Sequence, residues 1–232
     1  MTYEIGEIFE GCFISELKNR FLCEVEINGA IAECYVPSSC HLSNFLELEG
    51  KPVLLRKNST PKSRTQYALV AMPYKQSYLL LNSSLANRAV ETCIQSRRFS
   101  FIGKRASIRK EHSVEGYKAD LFVPEVKTII EIKSIISLDR AAMFPTVYSE
   151  RAITQLKQLR VLLQKGYKSC YLIISLNPYV KKIKLDRHSE LFELFVECLH
   201  LGMRMKGFTC RLKDNQIGID SEIPVDFASV QL

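Results

Sequence analysis

The sequence predicts an α/β protein with an all-β N-terminal part: a five-stranded OB-like barrel over residues 1–80, then an α/β domain with a mixed central sheet over 81–232. Three observations predict it. Residues 3–80 alternate polar and apolar residues in short runs separated by turn residues, the pattern of half-buried strands. Residues 81–232 mix segments of helical period with an almost continuous apolar run, Ser169 to Leu176, of strand length. Between the two, Asn82-Ser83-Ser84 offers a helix cap where the period changes from two to 3.6.

Length and composition bound the rest. A chain of 232 residues with 47% hydrophobic residues can bury a substantial core. No apolar run approaches the roughly 18 residues of a membrane span. The opening MTYEIGEIFEG lacks the basic and apolar regions of a signal peptide, so a cytoplasmic protein with no membrane partner is expected. The eight cysteines contain no CxxC pair and read as reduced thiols. The spacing nearest a zinc motif, Cys34 to Cys40 with His41 adjacent, is weak, and small core residues are the better reading. The net charge of +7 is uneven: −1 over residues 1–80, +4 over 81–115, +6 over 116–182 and −2 over 183–232. A positive field centred on 81–182 favours a polyanionic partner.

In the N-terminal part, Asn28-Gly29 between two alternating runs is a strong hairpin signal. A third run, Pro52 to Leu55, leads into a loop from Arg56 to Thr65 and then a strand from Gln66 to Met72. That loop holds Arg56, Lys57, Lys62 and Arg64 and no acid, so these four are candidate phosphate contacts. Phe21, Tyr35, Tyr67 and Tyr74 are candidate base-stacking partners, with a place in the barrel core as the plainer alternative for each. Tyr78 to Leu81 reads as a linking strand, and Leu85 to Gln95 as a helix with Leu85, Ala89 and Cys93 on one face. Arg97, Arg98, Lys104, Arg105, Arg109 and Lys110 follow without an intervening acid, a density suited to nucleic acid.

The chemistry concentrates in Tyr117 to Ser134, YKADLFVPEVKTIIEIKS. Two strands joined through Pro124 to Lys127 would carry Asp120 on the first, with Glu131 and Lys133 on one face of the second. A charged pair within Thr128-Ile129-Ile130-Glu131-Ile132-Lys133 is costly to bury unless paired with each other or with a metal ion. Mg²⁺ or Mn²⁺ held by Asp120, Glu131 and the carbonyl of Ile132 would resolve that cost, since such ions take oxygen ligands and keep several waters. A solvated hairpin face with a modest Glu131–Lys133 surface pair is the alternative. Glu111 is either a third carboxylate or a surface salt bridge. Ile135 to Tyr148 reads as a loop containing Arg140 and Phe144-Pro145. Ser149 caps a helix from Glu150 to Gln164 with an apolar stripe of Ala152, Leu156, Leu159 and Leu163, ended by Gly166. Arg151 and Gln155, four apart, would point together toward the strand ends. A strand, helix, strand order through this helix implies a parallel crossover. A last helix is expected from Ser189 to Lys206, ended by Gly207, before a hairpin of Thr209 to Leu212 with Gln216 to Ile219.

Asp120 with Glu131-Ile132-Lys133 resembles the D…(D/E)-x-K pattern of the restriction-endonuclease-like nuclease superfamily. The surroundings resemble one member family, the sugar fermentation stimulation protein homologues. The residues that carry this are Pro37 in AECYVPSSCHL, Leu81-Asn82-Ser83-Ser84-Leu85-Ala86-Asn87, Glu131-Ile132-Lys133, Phe144-Pro145, Glu150-Arg151, and Leu156 with Leu159, across about Phe9 to Val225. The chain departs from the family pattern at Pro37-Ser38-Ser39-Cys40-His41, at Phe144-Pro145-Thr146-Val147 and at Arg151 to Leu156. An acidic and a histidine position are thereby lost near the site. The resemblance implies an OB-type barrel followed by a restriction-endonuclease-like α/β domain. It also implies nucleic acid, DNA first, as partner, and a metal-dependent nuclease site of Asp120, Glu131, Lys133 and Gln155, with Arg151 positioning the backbone. Low sequence specificity is expected, because nothing in the scheme needs a base-reading helix. The alternative is a DNA-binding regulator of sugar metabolism without catalysis.

Overall fold

The computed structural model describes residues 1–38, 41–58 and 63–227. In chain order the elements are β1 (Tyr3–Glu4), β2 (Ile8–Glu16), β3 (Leu22–Ile27), β4 (Ala30–Tyr35), β5 (Pro52–Lys57), β6 (Tyr67–Tyr74), β7 (Ser77–Leu80) and α1 (Ser83–Cys93). There follow β8 (Arg109–Val114), β9 (Tyr117–Val123), β10 (Thr128–Ile135), β11 (Ala141–Phe144), α2 (Glu150–Gln164), β12 (Lys168–Ser175) and β13 (Lys182–Leu185). The last are α3 (Glu190–His200), β14 (Arg204–Lys213), β15 (Gln216–Ile223) and β16 (Val225–Asp226).

The N-terminal strands form one sheet in the order β4-β3-β2-β5-β6-β7. A parallel pairing of β4 with β6, Cys34 opposite Tyr67 and Tyr35 opposite Ala68, closes the first five of these into a barrel with no open edge between them. The β3–β4 hairpin turns at Asn28 and Gly29, both at positive φ (52° and 79°), as the two-residue turn requires. Arg56 and Lys57 lie in β5, not in a loop: they pair with Ala68 and Tyr67 of β6. β1 belongs to the other side of the molecule, pairing with β15.

The second part is built on a seven-stranded mixed sheet, β1-β15-β14-β12-β10-β9-β8. β10, β12 and β14 run parallel to one another, and β8, β9 and β15 are antiparallel to their neighbours. β12 is buried at every residue after Lys168, as its apolar run predicts for a strand covered on both faces. One face packs with α1 and the barrel into a continuous core. The other packs against α2, α3 and a small parallel sheet, β11-β13-β16.

α1 begins where expected, but the Asn82 side chain does not cap it. Its Nδ2 donates to Leu69 O at 3.0 Å, while Ser83 N binds Pro37 O at 3.0 Å, tying the helix start to the barrel. α2 begins at Ser149, whose hydroxyl accepts from Ala152 N at 3.2 Å, and it buries Ile153, Leu156, Leu159, Leu162 and Leu163. Two expectations are corrected. Ile135 to Tyr148 is not all loop, because Ala141–Phe144 forms β11. The last helix ends at His200, with Gly202 at φ 91° closing it, and the chain from Arg204 is a strand. Gly207 therefore sits mid-strand: a Cβ there would lie 2.8 Å from Ile223 O, so the close approach of β15 requires glycine. Among the described residues no helix is long and apolar enough to cross a membrane.

Candidate active site

The β9–β10 ladder pairs Thr128 with Val123, Ile129 with Phe122 and Ile130 with Leu121, and there it stops. Two residues on along β10, Ile132 N is bound by the Asp120 carboxylate instead, at 2.7 Å. An acidic side chain thus takes the place of a backbone acceptor, which holds the Asp120 carboxylate at the opening between the strands.

Glu131 lies on the α2 and α3 face of the sheet, beside Tyr171 of β12, and is only 1% exposed. Its Oε1 accepts from Lys133 Nζ at 2.5 Å and its Oε2 from the Tyr117 hydroxyl at 2.7 Å. Lys133 Nζ also donates to Gln155 Oε1 of α2 at 3.0 Å. The four residues expected to form the centre, Asp120, Glu131, Lys133 and Gln155, are therefore in one place, with a buried acid, Glu131, a half-buried one, Asp120, and an adjacent ammonium. Burial, then the neighbouring Glu131 carboxylate, push the Asp120 pKa up from 3.8 to about 6, against the pull of the Ile132 amide and of Lys133. The same two causes raise the Tyr117 pKa, so its hydroxyl stays protonated as a donor.

Tyr117 was not legible as a partner of Glu131. Strict alternation would put it on the face opposite Asp120, three residues on. In the structure Tyr117 and Ala119 pack on the α2 face whereas Leu121 and Val123 pack on the α1 face, so the alternation changes phase at Asp120. Glu111, which the register sets opposite Asp120, takes a positive φ of 48° there. Glu111 is not a third acid of the centre: it is exposed and ion-paired with Lys118. His112, also unforeseen, stacks on Phe122 with centroids 5.3 Å apart.

The expected cations are scattered. Arg151 is exposed one turn before Gln155, on the centre's side. The 97–102 segment packs through Phe99 and Ile102 into the core on the opposite, α1 face. Arg98 donates to the carbonyls of Ile219 and Asp220, and Arg105 to those of Ile94, Gln95, Ser96 and Gly103. These two guanidiniums hold backbone in place, because chain turns leave carbonyls that need donors. Arg97 and Lys104 are exposed, and Lys110 is paired with Glu91. In the barrel, Lys57 lies over the Phe9 ring at 5.3 Å, Arg56 is half-buried, and Arg64 pairs with Glu33 at 3.1 Å. Lys62 lies outside the described residues. Tyr67 packs edge-on against Phe9, and Tyr74 against Tyr179 of the second part, whereas Phe21 and Tyr35 are exposed. Cys34 is buried in the barrel with its thiol pushed up to about 12 by burial, which suits a core residue and not a zinc ligand. Cys40 lies outside the described residues.

Residues 17–81 match the model described as the SfsA N-terminal OB domain, and residues 84–216 that of the sugar fermentation stimulation protein RE domain. The chain belongs to the sugar fermentation stimulation protein family. A family homologue from Pelagibacter ubique is 24% identical over 225 residues, covering 94% of this chain and 96% of its own. One from Natranaerobius thermophilus is 28% identical over 73% of each chain, and one from Caldanaerobacter subterraneus 27% identical over 94% of this chain and 96% of its own. A solved structure described as Pyrococcus furiosus SfsA in complex with Ca²⁺ superposes with a TM-score of 0.85 over 98% of this chain and 100% of that one, at 21% identity. This family member thus shares the SfsA fold: an OB barrel followed by a mixed α/β domain.

Proposed function

We propose that this protein binds nucleic acid and hydrolyses its phosphodiester bonds, with little sequence preference, at the Asp120, Glu131, Lys133 and Gln155 centre, using Mg²⁺ or Mn²⁺. The observation that carries the reading is the burial of Glu131 beside a second carboxylate. Burial and then the Glu131 carboxylate disfavour the charge on Asp120, and a divalent cation between the two acids turns their repulsion into attraction. The donor types suit a hard ion, two carboxylates and the Ile132 carbonyl, with water and phosphate oxygens expected to complete its shell. Among the described residues there is no group of three or more His, Cys, Asp or Glu that could hold a metal, so an ion here would draw only two carboxylates from the chain. The Ca²⁺ complex described for the Pyrococcus furiosus relative is in keeping with a hard-ion site in this fold.

When bound, the cation supplies polarisation of the phosphoryl group and a lowered pKa for a coordinated water. Lys133, steadied by Glu131 and Gln155, donates to the phosphate and stabilises the charge that develops on it. Tyr117 holds Glu131 in its orientation. Arg151 is placed to take a flanking phosphate of the strand.

Incubation with single- and double-stranded DNA and RNA in Mg²⁺ or Mn²⁺ tests this. Cleavage should appear with the wild type, stop in EDTA, and be lost in both Asp120→Ala and Lys133→Ala. Binding without cleavage in either metal would refute the hydrolytic reading and leave a non-catalytic binder.

A further inference from the structure

The barrel carries a second feature, on a part of the molecule that the acid centre does not use. Phe21 and Tyr35 are 38% and 40% exposed, whereas Phe13 is buried in the barrel and Phe9, Phe45 and Tyr67 are partly buried against its core. Their rings lie 28° from parallel with centroids 6.5 Å apart. The backbone holds them together: Leu22 pairs with Tyr35, Val36 N binds Phe21 O at 2.8 Å, and Asn19 Oδ1 accepts from Phe21 N at 3.1 Å. The arrangement is thus set by the β2–β3 turn and the β3–β4 ladder, so little ordering is left for a ligand to impose.

These rings line a groove of about 450 Å³ with Asn19, Asn58 and Arg64. The Arg20 guanidinium lies 4.8 Å from the Phe21 ring centroid. Arg64 reaches over from the β5–β6 loop to Glu33, an exposed pair of the kind worth little and readily exchanged for a phosphate. Flat π faces beside exposed guanidiniums match one chemistry above others, a planar heteroaromatic base on a phosphodiester backbone. The elements that build the groove are the second and third barrel strands with their bordering loops, the side on which barrels of this topology take polymers.

We propose that this groove stacks an unpaired nucleobase, and hence that the polymer recruited is single-stranded nucleic acid. The proposal rests on the nucleic-acid part of the function above and is independent of cleavage. In a duplex the base faces already stack on one another and are withheld from the groove. A single strand offers them freely, and one stacked base on an aromatic platform changes affinity on the order of 10- to 100-fold.

The chain has no tryptophan, so Tyr35→Trp places a lone indole on the platform. In EDTA, its fluorescence should be quenched by oligo-dT and by oligo-U, by the matching duplex only at far higher concentration, and not by an abasic oligomer of equal length and charge. Anisotropy with labelled oligomers should show single-strand affinity about 10- to 100-fold weaker in the Phe21→Ala/Tyr35→Ala protein, duplex affinity within about twofold, and Tyr35→Phe like wild type. Equal binding of the abasic oligomer, a preference for duplex, or unchanged single-strand affinity in the double variant overturns the proposal. Asp120→Ala separates the two readings. If single strands bind to it and to wild type alike but neither cleaves, the hydrolytic reading fails and the groove stands. If the double variant cleaves and binds single strands as wild type does, the groove fails and hydrolysis stands.

Discussion

Replacing Asp120 by asparagine should stabilise the metal-free protein at neutral pH while abolishing its hydrolytic chemistry. The asparagine keeps an oxygen that can accept the Ile132 amide, now at 2.7 Å, and removes the charge that burial and Glu131 oppose. The Asp120 pKa is raised from 3.8 to about 6 on folding, so the folded state binds the proton more tightly than the unfolded one. The stability linked to that proton is fully present below the unfolded value and is lost as pH rises through the folded one. A rise of about two pKa units is worth about 3 kcal/mol above pH 6. In a chain of this size about 1 kcal/mol moves the melting temperature by roughly 2–4 °C, so Asp120→Asn should melt some 6–12 °C above wild type at pH 7.5 in EDTA. The advantage should fall to about half at pH 5 and to about a fifth at pH 4, and vanish only below the unfolded value of 3.8, where the wild-type carboxyl is protonated in both states. Saturating Mg²⁺ should raise the wild-type melting temperature and leave the variant unmoved. Scanning fluorimetry across pH measures all of this. A variant that melts at or below wild type at pH 7.5, or a gap that does not change with pH, would refute the argument that the two acids form a strained, cation-seeking pair.

The Tyr117 hydroxyl orients Glu131, so Tyr117→Phe should weaken Mn²⁺ or Mg²⁺ binding about tenfold with little change in fold. Calorimetric titration reads it, and an unchanged affinity would remove Tyr117 from the centre. Arg105 bonds four backbone carbonyls around the end of α1, so Arg105→Ala should lower stability on the order of 3 kcal/mol in urea melts. Its affinity for nucleic acid should stay within about threefold of wild type. A large loss of affinity with unchanged stability would return Arg105 to the binding surface.

Much of this was local and therefore readable. Asn28-Gly29 dictates its hairpin through the positive φ that both residues tolerate, and Ser149 with the stripe behind it defines α2 within a residue or two. Asp120, Glu131 and Lys133 stood out because charges in an Ile-rich strand demand a partner. A helix running on to Lys206 is the wrong reading because Met203 and Met205 suit a helix or a strand equally. The decision came from β15, which leaves room only for a glycine at position 207. The short strands β11, β13 and β16 are not legible in the sequence, since β11 and β16 each pair only with β13, a partner distant along the chain.

By itself, then, the amino-acid order determined which residues must pair, turn or cap: hairpins, helix starts, a doubly covered strand and an acidic pair in an apolar setting. Those properties depend on neighbours a few positions away. Which face of the sheet each charge occupies was decided only by packing. The alternation slips at Asp120, bringing Tyr117 onto Glu131, and the 97–102 turn lies on the α1 face, where Arg98 satisfies backbone carbonyls. Charge counted along a chain cannot reveal this, since a guanidinium near in sequence to a buried acid can be a full sheet away from it in space.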